Sequence, residues 1–167
     1  QCGVTDFGEN RVQEALEKAD ALDLLRAGQS TAPEWHLIGH LQTNKVKSIT
    51  GRFAILHGID SERLVETLGR FAGGPQRVML EVNVSGESSK FGVAPEGLEQ
   101  LLEVAARTPN VVAEGLMTVA PRGDDPNGTR PVFRSLRELA ERHALPHLSM
   151  GMSDDFEVAI EEGATHI

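Results

Sequence analysis

Six times in succession a short apolar run is followed by a stretch whose apolar residues recur at helical spacing, and this alternation constrains the fold more than any other feature. Val4 to Gly8 leads into a helix predicted from about Asn10, with Val12, Ala15, Leu16, Ala19 and Leu22 on one face. His36 to Gly39 precedes a short helix around Asn44 to Ile49, and Ala54 to His57 precedes one opened by Ser61 that carries Leu64, Val65 and Leu68. Arg77 to Val84, the longest strand, is followed after Pro95 by a helix with Leu98, Leu101, Leu102 and Ala105. Val111 to Val119 precedes the helix of Phe133, Leu136, Leu139 and Ala140. His147 to Met150 runs into a helix expected from Ser153 to about Glu162, and Thr165 opens a seventh strand. Regular strand-helix alternation implies a parallel sheet, and right-handed crossovers leave a doubly wound open sheet or a (βα)8 barrel. No GxGxxG or GxxxxGK[ST] follows an early strand, so the nucleotide-binding open sheet has no support and the barrel is favoured. Residues 1–167 then form one partial α/β barrel domain. Cys2-Gly3-Val4 reads as the tail of a helix entering a strand, and Gly163 to Ile167 as a strand just begun, so both ends look cut.

Composition narrows the function. The formal charge of −9, the scattered Lys and Arg and the lack of tyrosine argue against a nucleic-acid surface. No apolar run approaches the roughly 20 residues of a spanning helix, and no leader-like segment precedes the fold. Cys2 is the sole cysteine, which excludes internal disulfides and CxxC metal sites and fits a cytoplasmic setting.

In either architecture the site lies at the C-terminal ends of the strands. The most suggestive end is Leu148-Ser149-Met150-Gly151-Met152-Ser153-Asp154-Asp155. There the small residues Ser149, Gly151 and Ser153 would let an anion approach free N–H groups, with Ser153 as a helix N-cap. Asp154 and Asp155 would repel a phosphate unless they point outward. Alternation along Met79 to Ser85 puts Glu81 and Asn83 on the lumenal face and Leu80 and Val82 toward the helices, which suggests a polar pocket. Asn10 reads as a ligand contact or as a helix cap completed by Gln13, with the cap favoured by spacing. His36 is a pocket candidate flanked by apolar residues. His36 and His40 have a zinc-like spacing, but their strand-to-loop setting denies them a common face, so no metal is expected. Gly151-Met152-Ser153 lacks the second glycine and the triad order of a serine hydrolase. The Gly- and Asp-rich loop from Pro121 to Arg130 is expected to be mobile rather than catalytic.

Five strings occur in an order that marks one family: Phe7-Gly8-Glu9-Asn10-Arg11-Val12-Gln13-Glu14, Trp35-His36-Leu37-Ile38-Gly39-His40-Leu41-Gln42-Thr43-Asn44-Lys45, Ser88-Ser89-Lys90-Phe91-Gly92, Gly115-Leu116-Met117 and Leu148 to Asp155. The chain resembles the pyridoxal 5′-phosphate (PLP) homeostasis proteins, the YggS or PROSC family. The resemblance implies an alanine-racemase-like (βα)8 barrel that binds PLP as an internal aldimine and acts as a carrier and regulator of vitamin B6 supply. It implies PLP-dependent apoenzymes as partners, and a monomer or weak homodimer. The family's aldimine lysine is expected upstream of residue 1. Asn10, His36 and Met117 would line the ring, and Ser149, Gly151 and Ser153 would face the phosphate. Lys90 resembles a second family lysine but reads as a solvated loop residue. The rival readings are a racemase-like PLP enzyme, which needs a second acid/base, and a non-catalytic interaction module.

Overall fold

A computed structural model describes residues 4–25, 33–121, 123 and 125–167. Cys2-Gly3, Arg122 and Asp124 lie outside them, as does the side chain of Leu22. Six strands form one sheet: β1 (Asp6–Glu9), β2 (Glu34–His40), β3 (Ile55–Ile59), β4 (Gln76–Glu81), β5 (Val111–Met117) and β6 (His147–Ser149). Every neighbouring pair is parallel, and spatial order follows chain order. An open doubly wound sheet would reverse its order at a switch point, so this arrangement is part of a barrel wall. A bridge between Ser149 and His166 begins the next strand in the same direction.

Helices α1 (Val12–Leu25), α2 (Val46–Ile49), α3 (Glu62–Phe71), α4 (Leu98–Arg107), α5 (Arg130–Arg142) and α6 (Phe156–Glu161) follow their strands in turn. Leu64, Val65 and Leu68 of α3, Leu98, Leu101 and Val104 of α4, and Phe133, Leu136 and Leu139 of α5 fill the layer between helices and sheet. Leu37, Leu56, Val78, Leu80, Val82, Leu116 and Leu148 meet them from the strands. The opposite face of the sheet carries a separate apolar cluster, Ile55, Met79 and Met117. Side-chain alternation explains the division: Met79 and Glu81 point into the lumen, while Leu80 and Val82 point to the helices. On the outside, Arg130, Arg134 and Arg137 of α5 converge on Glu162, just past α6, and tie the last two helices together.

Three details depart from the sequence reading. β4 stops at Glu81, so the alternation does not carry Asn83 into the lumen. Asn83 instead organises the following turn, accepting from Gly86 N–H at 3.0 Å and donating to the Glu87 carbonyl at 2.9 Å. α6 starts at Phe156, not Ser153, and residues 153–155 form a turn. The cause is Asp155, whose carboxylate folds inward and accepts the Met152 N–H at 2.6 Å, closing a short loop before the helix. In the loop after β5, Pro126–Thr129 is a 3₁₀ turn in which Asp125 accepts the Asn127 N–H and Thr129 is buried, so this part is more structured than its composition suggests.

Candidate functional site

The strands curl so far that β1 and the segment after α6 wall the same lumenal cavity. It has a volume of about 520 Å³ and opens at the C-terminal strand ends. Asn10, His36, Met117, Ser149 and Gly151 all contribute to its wall. Ser153 does not; it is exposed on the turn outside. Asn10 is not the helix cap, because the first helical bond of α1 runs from Ala15 N–H to the Arg11 carbonyl, which leaves Asn10 one residue outside and at the cavity.

Glycines permit the close approaches that shape this wall. A Cβ on Gly39 would lie 2.0 Å from the Asn10 carbonyl oxygen, so β2 carries glycine where the β1 loop passes over it. Gly151 adopts φ +100°, and a Cβ there would lie 2.7 Å from Cβ of Ala159. It therefore packs the turn onto α6 as well as bordering the cavity. Among the described residues, the N–H groups of Gly151, Ser153 and Asp154 donate to no protein acceptor, so the turn presents unpaired donors suited to an anion. Asp154 is exposed, but Asp155 is buried and lines the cavity, so the condition that both point away from a phosphate is met by Asp154 alone.

A polar chain crosses the lumen. Nδ1 of His36 is 3.0 Å from Nε2 of His57, and Nδ1 of His57 is 2.8 Å from the Ser149 hydroxyl. At the other end, Nε2 of His36 is 3.4 Å from the Asp6 carboxylate, too long for a good hydrogen bond, and among the described residues no other polar partner meets it. His166 completes the group, its ring centroid 5.6 Å from His36 and 5.4 Å from His57. Burial, followed by the neighbouring His36 and His166, pushes His57 down to about 3, so it is neutral at physiological pH. Burial also lowers His36 and His166. The chain can run in two directions. If Asp6 accepts from His36, each ring donates toward Asp6 and the Ser149 hydroxyl donates to His57, leaving only lone pairs facing the cavity. In the reverse sense His57 donates to Ser149, and the hydroxyl proton is free for an anion.

Spacing and composition did not single out His57, His166 or Asp6. His57 carries a visible signal, a polar residue between the inward Ile55 and the strand end. His166 carries none, since its role depends on the curl of the sheet. Lys90 is not solvated as expected: its ammonium donates to the Val119 carbonyl at 3.0 Å. Lys18, Lys45, Lys47 and Lys90 are the chain's lysines, and none lines the cavity. Glu81, buried at the end of β4, is raised to about 7 by burial and then by Asp60.

The fold and this cavity define a barrel of the alanine racemase type. The family model for the alanine racemase N-terminal domain matches residues 1–166. The pyridoxal phosphate homeostasis protein of Aquifex aeolicus is 49% identical over 173 residues, covering 98% of this chain and 73% of that protein. That of Pseudomonas aeruginosa is 43% identical, covering 99% and 71%. PipY of Synechococcus elongatus, solved with PLP bound, superposes with a TM-score of 0.81 at 35% identity, covering 96% of this chain and 77% of that one. The chain belongs to the pyridoxal phosphate homeostasis protein family.

Proposed function

We propose that this chain binds PLP in the lumenal cavity and takes part in PLP homeostasis as a carrier. The observation that carries the reading is the convergence of Asn10, His36, Met117, Ser149 and Gly151 on one cavity at the C-terminal strand ends, where barrels of this kind place their ligands. The residues suit the group. Met117 offers an apolar surface to a ring, His36 keeps an unpaired buried nitrogen, and the turn at Gly151 keeps unpaired N–H donors for a phosphate. PLP, when bound, supplies an electron sink for reactions of amines. The protein's own part is to orient the ring, donate backbone N–H groups to the phosphate and shield both from water.

A carrier reading is favoured over a racemase by the titratable groups in the wall. A racemase needs a strong acid/base on each face of the cofactor. The lining offers Asp6, His36, His57, Asp155 and His166, of which His57 is held neutral and the other two histidines are lowered. Among the described residues no helix is long and apolar enough to cross a membrane. We place the protein in the cytoplasm as a monomer or weak homodimer that hands PLP to PLP-dependent apoenzymes.

Equilibrium dialysis of the full polypeptide against PLP tests the proposal. The expected result is saturable binding of one PLP per chain, weakened at least about tenfold when Asn10 and Ser149 are both replaced by alanine, the loss of two or more hydrogen bonds to a charged ligand. Undiminished binding in that variant would remove the cavity as the site, and no alanine racemisation is expected with PLP present.

A further inference from the structure

Outside the PLP cavity, the ends of three successive strands bring together a second set of side chains. His40 is the last residue of β2, Asp60 follows β3, and Glu81 ends β4. One nitrogen of His40 and one carboxylate oxygen each of Asp60 and Glu81 lie within 4.8 Å of one another, and Nδ1 of His40 is 3.4 Å from Asp60. We propose that His40, Asp60 and Glu81 form a binding site for a divalent transition-metal cation.

Glu81 is the buried member of this set. Its residue exposure is 6%, yet among the described residues its carboxylate accepts no hydrogen bond and pairs with no cation. A buried carboxylate beside a second one carries a large desolvation and repulsion cost unless it takes up a proton or something positive offsets it. Lys90 is the nearest candidate in the adjoining pocket, but its ammonium is committed to the Val119 carbonyl and lies 3.8 Å from Glu87. The charge deficit therefore sits where His40 presents a ring nitrogen.

The His40 ring is also held in place. Phe91 stacks on it with centroids 3.9 Å apart and planes 11° apart, which fixes the ring orientation as outer contacts do for metal-binding histidines. Neighbouring donors each about 2.1 Å from a cation stand roughly 3.0–3.4 Å apart, so donors now within 4.8 Å of one another draw in by up to about 1.8 Å on binding. One imidazole and two carboxylates suit Mn²⁺, Fe²⁺, Co²⁺ or Zn²⁺ better than Ca²⁺, which prefers an all-oxygen set. The other close group, Asp6, Glu34 and His36, lacks this character. Its carboxylates are exposed to water, so no buried negative charge there calls for a cation, even though Nε2 of His36 is unpartnered among the described residues. The sequence spacing pairs His36 with His40, whereas the fold separates them and gives His40 carboxylate partners from later strands.

The site is independent of PLP, so the test omits it. The full polypeptide is stripped with EDTA and titrated with Mn²⁺, reading free Mn²⁺ by electron paramagnetic resonance, with Zn²⁺ as competitor. One tight site per chain is expected, weakened at least tenfold in Glu81→Gln and in His40→Gln and unchanged in Glu34→Gln. Unaltered melting of the metal-free variants shows that they are folded, and His40→Gln, at a part-exposed position, serves if Glu81→Gln is not. Absence of a saturable site, binding undiminished in both ligand variants, or an equal loss in Glu34→Gln each overturns the proposal.

Discussion

Acidification provides a direct probe of the buried histidine chain. His57 is 1% exposed and sits between His36 and Ser149, with His166 edge-on to its ring. The charged groups nearest this cluster are Asp6 and Glu34 at His36 and Arg77 on β4. In the unfolded chain His57 titrates near 6.5, whereas in the folded chain it titrates near 3. Between those values the unfolded state holds a proton that the folded state refuses, so stability is full above pH 6.5 and falls as pH drops toward 3. The slope is about 1.4 kcal/mol per pH unit, and the loss on going from neutral pH to 4.5 is about 2.7 kcal/mol from His57 alone. Glutamine at position 57 retains a donor and an acceptor but does not titrate. Urea unfolding at pH 7.0, 5.5 and 4.5 is expected to show a steep decline in the parent chain and, in His57→Gln, a slope smaller by about 1.4 kcal/mol per unit. The part of the decline that remains reports the lowered His36 and His166. Equal slopes in the two proteins, with constant m values, would refute the claim that His57 is held neutral by burial.

Two further outcomes follow from the cavity wall. Gly151→Ala places a Cβ at φ +100° and 2.7 Å from Ala159, a strain of about 2–5 kcal/mol; melting should fall by roughly 4–20 °C, and a change under 2 °C would show that α6 simply shifts aside. Asp6→Asn lets the amide donate to Nε2 of His36 and turns the chain so that the Ser149 hydroxyl faces the cavity, which should tighten inorganic phosphate by roughly 2–10-fold. The gain must vanish in a Ser149→Ala background, since an equal gain there would mean that Asp6 acts only by repulsion.

The barrel was legible because each unit states its own period. The spacing of Leu64, Val65 and Leu68, or of Phe133, Leu136 and Leu139, requires a helix, and short apolar runs between such helices leave a parallel sheet as the outcome. Sequential strand order then follows from the lack of any phosphate loop that would mark an open sheet. Element ends were harder to read, because they depend on single polar contacts. Nothing in Ser153-Asp154-Asp155 reveals that Asp155 will take the Met152 N–H and delay α6 to Phe156. Nor does Asn83 reveal that its amide will build a turn rather than extend the lumenal row.

The site divides along the same line. Gly151 and Ser149 stand out because an apolar strand breaks at small residues, and Asn10 because a strand end precedes a helix. Asp6, His57 and His166 come from residues more than 20 positions apart, and they meet only because the sheet curls. The same curl explains why a His36–His40 pair, plausible by spacing, resolves into two separate environments. β2 shifts register between Leu37 and His40, which sends His36 into the lumenal histidine chain and His40 to the strand end beside Asp60 and under Phe91. A polar residue's role in this fold is thus set by its depth along the strand as much as by its parity. Residues at mid-depth join the lumenal histidine chain, where burial disfavours their charged forms, and residues at the rim collect the carboxylates, where the same burial favours a proton or a compensating positive charge.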